Sequence, residues 1–209
     1  CRAGNSMRQL GRVTRANRPV GETCSGRVTF FARPPVDGVM LRRLRETGPG
    51  LLVPLAWTFA AAAHVELAGL EAVRIGMVVM DVLLVAFTVL SWGDMQEGVL
   101  LAWKVVLLVG IVLNAVGTVA VFADPVNTTL ARVAVAGWML VPAAAYVYTG
   151  ENVDRVPRVY QVGAAVSAIG AGAYLLAPVL STAWPVALLG FALVGIGQTA
   201  GILAAVWSS

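Results

Sequence analysis

"AVRIGMVVMDVLLVAFTVLSW", residues 72–92, is a run of 21 residues that is almost wholly apolar. As an α-helix it is about 31 Å long, against a bilayer hydrocarbon core of about 30 Å. It reads as a membrane span, and it carries two charges, Arg74 and Asp81. A second charge-bearing run, "GVLLAWKVVLLVGIVLNAVGTVAVFA" at 98–123, follows after the short linker "GDMQE" and holds Lys104.

Working outward, four more runs of similar character appear: 51–70, 129–149, 159–180 and 184–207. The linkers "DPVNTT", "GENVDRVPR" and "STAWP" carry turn residues. The expected fold is therefore all-α, a polytopic bundle of six transmembrane helices. Composition agrees. Only 12% of the 209 residues are charged and 58% are hydrophobic, whereas a soluble domain has about 25% charged residues. The charge that would cover a water-facing surface is missing, which argues against a soluble protein with a large core. The partner this implies is the lipid bilayer. Trp92, Trp184 and Trp207 fall near span ends, as an interfacial belt would place them, while Trp57, Trp103 and Trp138 sit further in.

Ten of the 15 basic residues precede residue 50. They are spread out, without aromatic interleaving or a recognisable module, so no nucleic-acid partner is expected. Residues 1–39 lack sustained periodicity and read as a basic leader, either upstream sequence or a disordered extension; an ordered, functional segment is the alternative. Met40, followed by Arg42, Arg43 and Arg45, then resembles the usual start of a membrane protein. On this view the transmembrane domain is 40–209. One lysine against fourteen arginines suggests a GC-rich prokaryotic genome.

Orientation follows from arginine placement. Arg42, Arg43 and Arg45 flank the first span, and Arg155 and Arg158 lie between the fourth and fifth. With six spans these regions share a side, which the positive-inside rule makes the cytoplasm. Both termini are then cytoplasmic in the cell membrane. The "NTT" at Asn127 falls outside, where a glycosylation acceptor would belong.

The two halves share fragments at offsets of 84–90 residues: "VP", "VLS", and "VGIVLNAVG" against "VGIGQTAG", which sets Asn114 against Gln198. Two inverted three-helix repeats would explain them; coincidence in a Val-, Gly- and Ala-rich chain is the competing explanation.

An ionisable group near the bilayer centre costs about 2.5–3.5 kcal/mol on insertion scales, so it is expected to have a partner or a cavity. If Trp92 and Glu97 are level across the turn, Asp81 and Lys104 differ in depth by about 6 Å. On that basis they are expected to neutralise each other, either as a structural pair or as part of an ion-linked site. Two stripes accompany them. Arg74, Asp81 and Thr88 recur at seven-residue spacing. Lys104, Asn114 and Thr118 share an arc of roughly 80°. They could line a route or form packed interior. His64 and Glu66 point about 160° apart and cannot form one catalytic pair on that helix. Glu66 is expected to reach Arg74 across the tight turn, and His64 to pack near Trp57.

Helix packing is expected at Gly197 and Gly201, a GxxxG pattern, and at Gly163 and Ser167. Pro142 and Pro178 should kink or end their helices. No GxSxG, HExxH, P-loop or dinucleotide fingerprint occurs. Both cysteines lie in the leader and His64 is the only histidine, so no catalytic residue, metal or cofactor is expected. Two functions remain: a non-catalytic protein acting through helix packing with itself or a membrane partner, and a small ion-coupled carrier built around Asp81 and Lys104.

Overall fold

The computed structural model describes residues 36–180 and 183–208. The expected leader falls outside them except for its last four residues, which are helical. The described chain forms six α-helices: α1 Val36–His64, α2 Leu70–Leu90, α3 Gly98–Phe122, α4 Thr128–Asn152, α5 Pro157–Leu176 and α6 Ala183–Ser208. A 3₁₀ turn, Ala177–Val179, closes α5 at Pro178. The fold is all-α and polytopic: five stretches of 21–25 residues are long and apolar enough to cross a bilayer. The apolar part of α1, Gly50–His64, is shorter, about 22 Å.

That shortness has a local cause. The first apolar run does not continue to residue 70, because the helix ends at His64 in a double hydrogen bond. Leu67 N–H donates to Ala62 O and Glu66 N–H to Ala63 O, with Glu66 in the left-handed region at φ 59°. This is a Schellman stop, a motif that usually recruits glycine at the left-handed position. α4 is started by a side chain: Asn127 Oδ1 accepts from Leu130 N–H at 3.1 Å. The asparagine of the "NTT" triplet is thus an N-cap.

Each helix packs on the next in the spatial order α2, α3, α4, α5, α6, α1. The main buried cluster draws Trp57 from α1, Met139 from α4, Tyr174 from α5 and Phe191 and Val194 from α6. α1 and α6 run antiparallel, since Gly50 lies beside Leu203 and the His64 ring beside Phe191. α2 is the outermost helix. Only 11% of its most apolar window is buried, against 33–39% for the other four spans. It leans on α3, and it meets α1 where Gly76 leaves room for the Phe59 ring. The halves pack differently: α4, α5 and α6 follow one another in space, whereas α1 packs on α6 and barely touches α2.

Candidate functional site

The α2–α3 seam carries the polar groups that stand out in the sequence. Met77 and Asp81, four apart on α2, face Asn114 and Thr118, four apart on α3; this spacing stacks each pair on one helix face. Asp81 Oδ1 accepts from Asn114 Nδ2 at 2.7 Å, and Oδ2 accepts from Thr118 Oγ1 at 2.6 Å. Asn114 Nδ2 also donates to Met77 O at 3.1 Å. Hydrogen bonds to a charged acceptor are about twice as strong as neutral ones, so the arrangement suits an ionised carboxylate.

Lys104 is not part of this group, and the expected Asp81–Lys104 pair does not form. The lysine is buried at 7% exposure, with Nζ 4.1 Å from the centre of the Trp92 ring. The reason is register. The residues Ser91–Glu97 do not make a level turn; they run on along the axis, and Gly98 takes φ +56° to start α3. α3 therefore begins about 9 Å before it reaches the level of Trp92. Arg74 then meets Val121, Met77 meets Gly117, Asp81 meets Asn114 and Trp92 meets Lys104. Lys104 ends ten residues, about 15 Å, from Asn114 along α3. A desolvated ammonium over an indole gains about 2 kcal/mol, which compensates part of its burial.

Asp81→Asn and Lys104→Met are accordingly expected to add in their effects on stability to within about 0.5 kcal/mol. Asp81→Asn and Thr118→Val, which share a hydrogen bond, are expected to couple by about 1 kcal/mol. Thermal unfolding of the single and double variants in one detergent decides it. Coupling of the two charges beyond about 1 kcal/mol would overturn the register.

Arg74 serves the end of α3. Its Nε donates to Val121 O at 3.0 Å, its guanidinium lies 5.4 Å from the Phe122 ring centre, and Glu71 lies 3.8 Å away. A cation belongs there, where the last carbonyls of a helix lack partners. Arg74 turns to Glu71 and α3, not to Glu66, because Glu66 is fixed in the stop of α1. Thr88 bonds its own turn, to Leu84 O. His64 stacks against Tyr174 and Phe191 at 5.9 and 5.5 Å; Trp57 reaches the same phenylalanine at 6.1 Å.

A second polar centre lies on the opposite side of α4, around Gln198. Pro142 has no N–H, so the carbonyl of Trp138, four residues earlier, loses its helical donor. Gln198 Nε2 supplies one at 3.1 Å and also approaches Met139 O at 3.4 Å. Gln198 Oε1 accepts from Trp57 Nε1 at 3.0 Å, and Gln198 O accepts from Tyr146 Oη at 2.6 Å. One residue of α6 thus ties α1 and α4. Nearby, Trp103 Nε1 donates to Thr149 Oγ1 at 3.2 Å, joining α3 to α4. The partners Trp57, Tyr146, Trp103 and Thr149 were not singled out from the sequence as site residues. The depth of Trp57 and Trp103 was the available sign, since a buried indole N–H needs an acceptor.

Small residues close α5 against α6. A Cβ on Gly163 would stand 2.8 Å from Gly197 O, and one on Gly197 would stand 2.7 Å from Gly163 O and 2.8 Å from Ser167 Oγ. Gly201 faces elsewhere, against the Tyr146 ring of α4.

These features define a class, a multi-pass helical membrane protein. No protein-family model, curated protein or solved structure matches the chain.

Proposed function

We propose that this is a non-catalytic multi-pass protein of the cell membrane that acts through helix packing and assembly, with a second copy or a membrane partner. The observation that carries the reading is how the buried polar side chains are used. Gln198, Trp57, Tyr146, Trp103, Thr149 and Asn114 each join one helix to another. Such bonds fix the arrangement of spans where apolar burial cannot, because lipid tails are as apolar as leucine. The little-buried outer face of α2 is the surface left for assembly; Val78, Val82, Val85 and Val89 lie on it exposed. Both termini are placed in the cytoplasm on the strength of Arg42, Arg43, Arg45, Arg155 and Arg158, together with the antiparallel course of α1 and α6.

The test is reconstitution at high lipid-to-protein ratio and counting of fluorophores per diffusing particle. Two or more copies are expected, falling to one when Val82→Glu and Val85→Glu are introduced together. A single copy throughout, in vesicles without other proteins, removes self-assembly. In the same vesicles, Asn127→Cys should react only with a reagent on the side opposite the termini.

The carrier reading has one specific support. Asp81 is an intramembrane carboxylate with two donors and, among the described residues, no basic nitrogen within 4 Å. Ion flux across the vesicle wall, lost in Asp81→Asn, would favour it.

A further inference from the structure

The oxygens around Asp81 hold a further property. Within a few ångströms stand both carboxylate oxygens, Thr118 Oγ1, Met77 O and the amide of Asn114. At present the Asn114 NH₂ group occupies the centre of this set, 2.7 Å from Asp81 Oδ1 and 3.1 Å from Met77 O. A half-turn about the terminal torsion of Asn114, which is broad and roughly two-fold, exchanges that nitrogen for Oδ1. The result is five oxygens with one negative charge and no donor among them. That is unfavourable unless a cation sits between them.

We infer that the α2–α3 seam binds one small monovalent cation, sodium or lithium in size, through Asp81, Thr118, Asn114 and Met77 O. A monovalent ion leaves the site neutral, which a low-dielectric setting favours; a divalent ion would leave an uncompensated positive charge. The hard oxygen donor set suits an alkali ion, and transition metals prefer imidazole or thiolate. Oxygens 2.6–3.1 Å from their present neighbours favour the smaller ion, since a larger one would have to spread them. The sequence, with its single histidine and scattered carboxylates, gives no expectation of a metal; an alkali site needs only one charge, and its other oxygens are neutral.

The ion would act as a clamp. α2 is the least buried span and is held chiefly by α3, so a ligand bridging the two stabilises that contact by mass action. The clamp is independent of copy number, and its test does not read assembly.

The full chain in detergent micelles is unfolded thermally in sodium, potassium or choline chloride at equal ionic strength. Sodium is expected to raise Tm saturably, by about 3–6 °C at ten times its Kd. Choline should give no rise, and potassium should need a higher concentration. Asp81→Asn should abolish the sodium dependence. Thr118→Val should weaken apparent affinity about tenfold and Thr118→Ser should restore it, the difference of one oxygen ligand. Gln198→Leu, remote from the seam, should lower Tm but keep the sodium rise. Equal Tm in sodium and choline for the unmodified protein overturns the clamp, and so does a sodium rise that survives Asp81→Asn.

Discussion

Gln198→Leu is expected to destabilise the bundle by about 2–4 kcal/mol, a large effect for one surface-neutral change of similar volume. The side chain makes three contacts with hydrogen-bonding groups, and two of them have no alternative. Trp57 Nε1–H is buried against α6 and loses its acceptor. Trp138 O has already lost its helical donor to Pro142 and now loses the replacement. An orphaned buried group costs about 1–3 kcal/mol in water-soluble proteins, while membrane double-mutant cycles average about 0.6 kcal/mol per bond. The range quoted lies between these scales. The distinctive part is the rescue. Pro142→Ala returns an N–H to position 142, which can bond Trp138 O within α4. Combined with Gln198→Leu it should recover about 1 kcal/mol. The measure is a four-variant cycle by thermal or denaturant unfolding in one detergent. Strictly additive losses would show that glutamine and proline are unrelated.

That pairing marks the boundary of what the sequence reveals. Six apolar runs of helical length were legible, because a bilayer demands long stretches without charge and the chain has them. The end of α1 was not. A Schellman stop is normally announced by glycine, and here Glu66 occupies the left-handed position while Gly69, the visible turn residue, comes later. The seam was half legible. Asp81, Asn114 and Thr118 stand out as polar residues in apolar runs, and the stripe on α3 pointed to one face. Which charge met which depended on how far Ser91–Glu97 travels along the axis, and a loop's course is not written in its composition. A shift of six residues in that register moved Lys104 from Asp81 to Trp92. For Gln198 the missing step was chemical. A proline within a span always frees the carbonyl four residues back, so a donor had to be sought for Trp138 O. The sequence offered Asn114, Gln198 and Thr118 as donors and had no means of choosing among them.

The second large effect separates two glycines that are two residues apart on α5. At Gly172 a Cβ would meet nothing within 4 Å. Gly172→Ala is therefore governed by backbone preference, where alanine gains up to about 1 kcal/mol in a helix, less in a membrane whose unfolded reference keeps its helices. It should be neutral or slightly stabilising. At Gly170 the same methyl would stand 2.7 Å from Gly190 O, 2.8 Å from Val194 Cγ2 and 3.1 Å from Leu193 Cβ. The valine tip can turn, but the carbonyl belongs to a helix and cannot move alone. Gly190 reciprocates, since its own Cβ would lie 2.7 Å from Gly170 O. The helices must separate, and with them the Gly163–Gly197 contact two turns away, because both lie on one straight seam. Overpacking of this kind costs about 1–3 kcal/mol and exceeds the propensity gain. Gly170→Ala is thus expected to destabilise by about 2 kcal/mol, and Gly170→Ala with Gly163→Ala by less than the sum, since one separation relieves both clashes. Unfolding curves for the three variants and Gly172→Ala, taken side by side, provide the comparison. Equal behaviour of Gly170→Ala and Gly172→Ala would mean that α5 and α6 do not meet backbone to backbone, and the packing that supports an assembly role would lose its tightest contact.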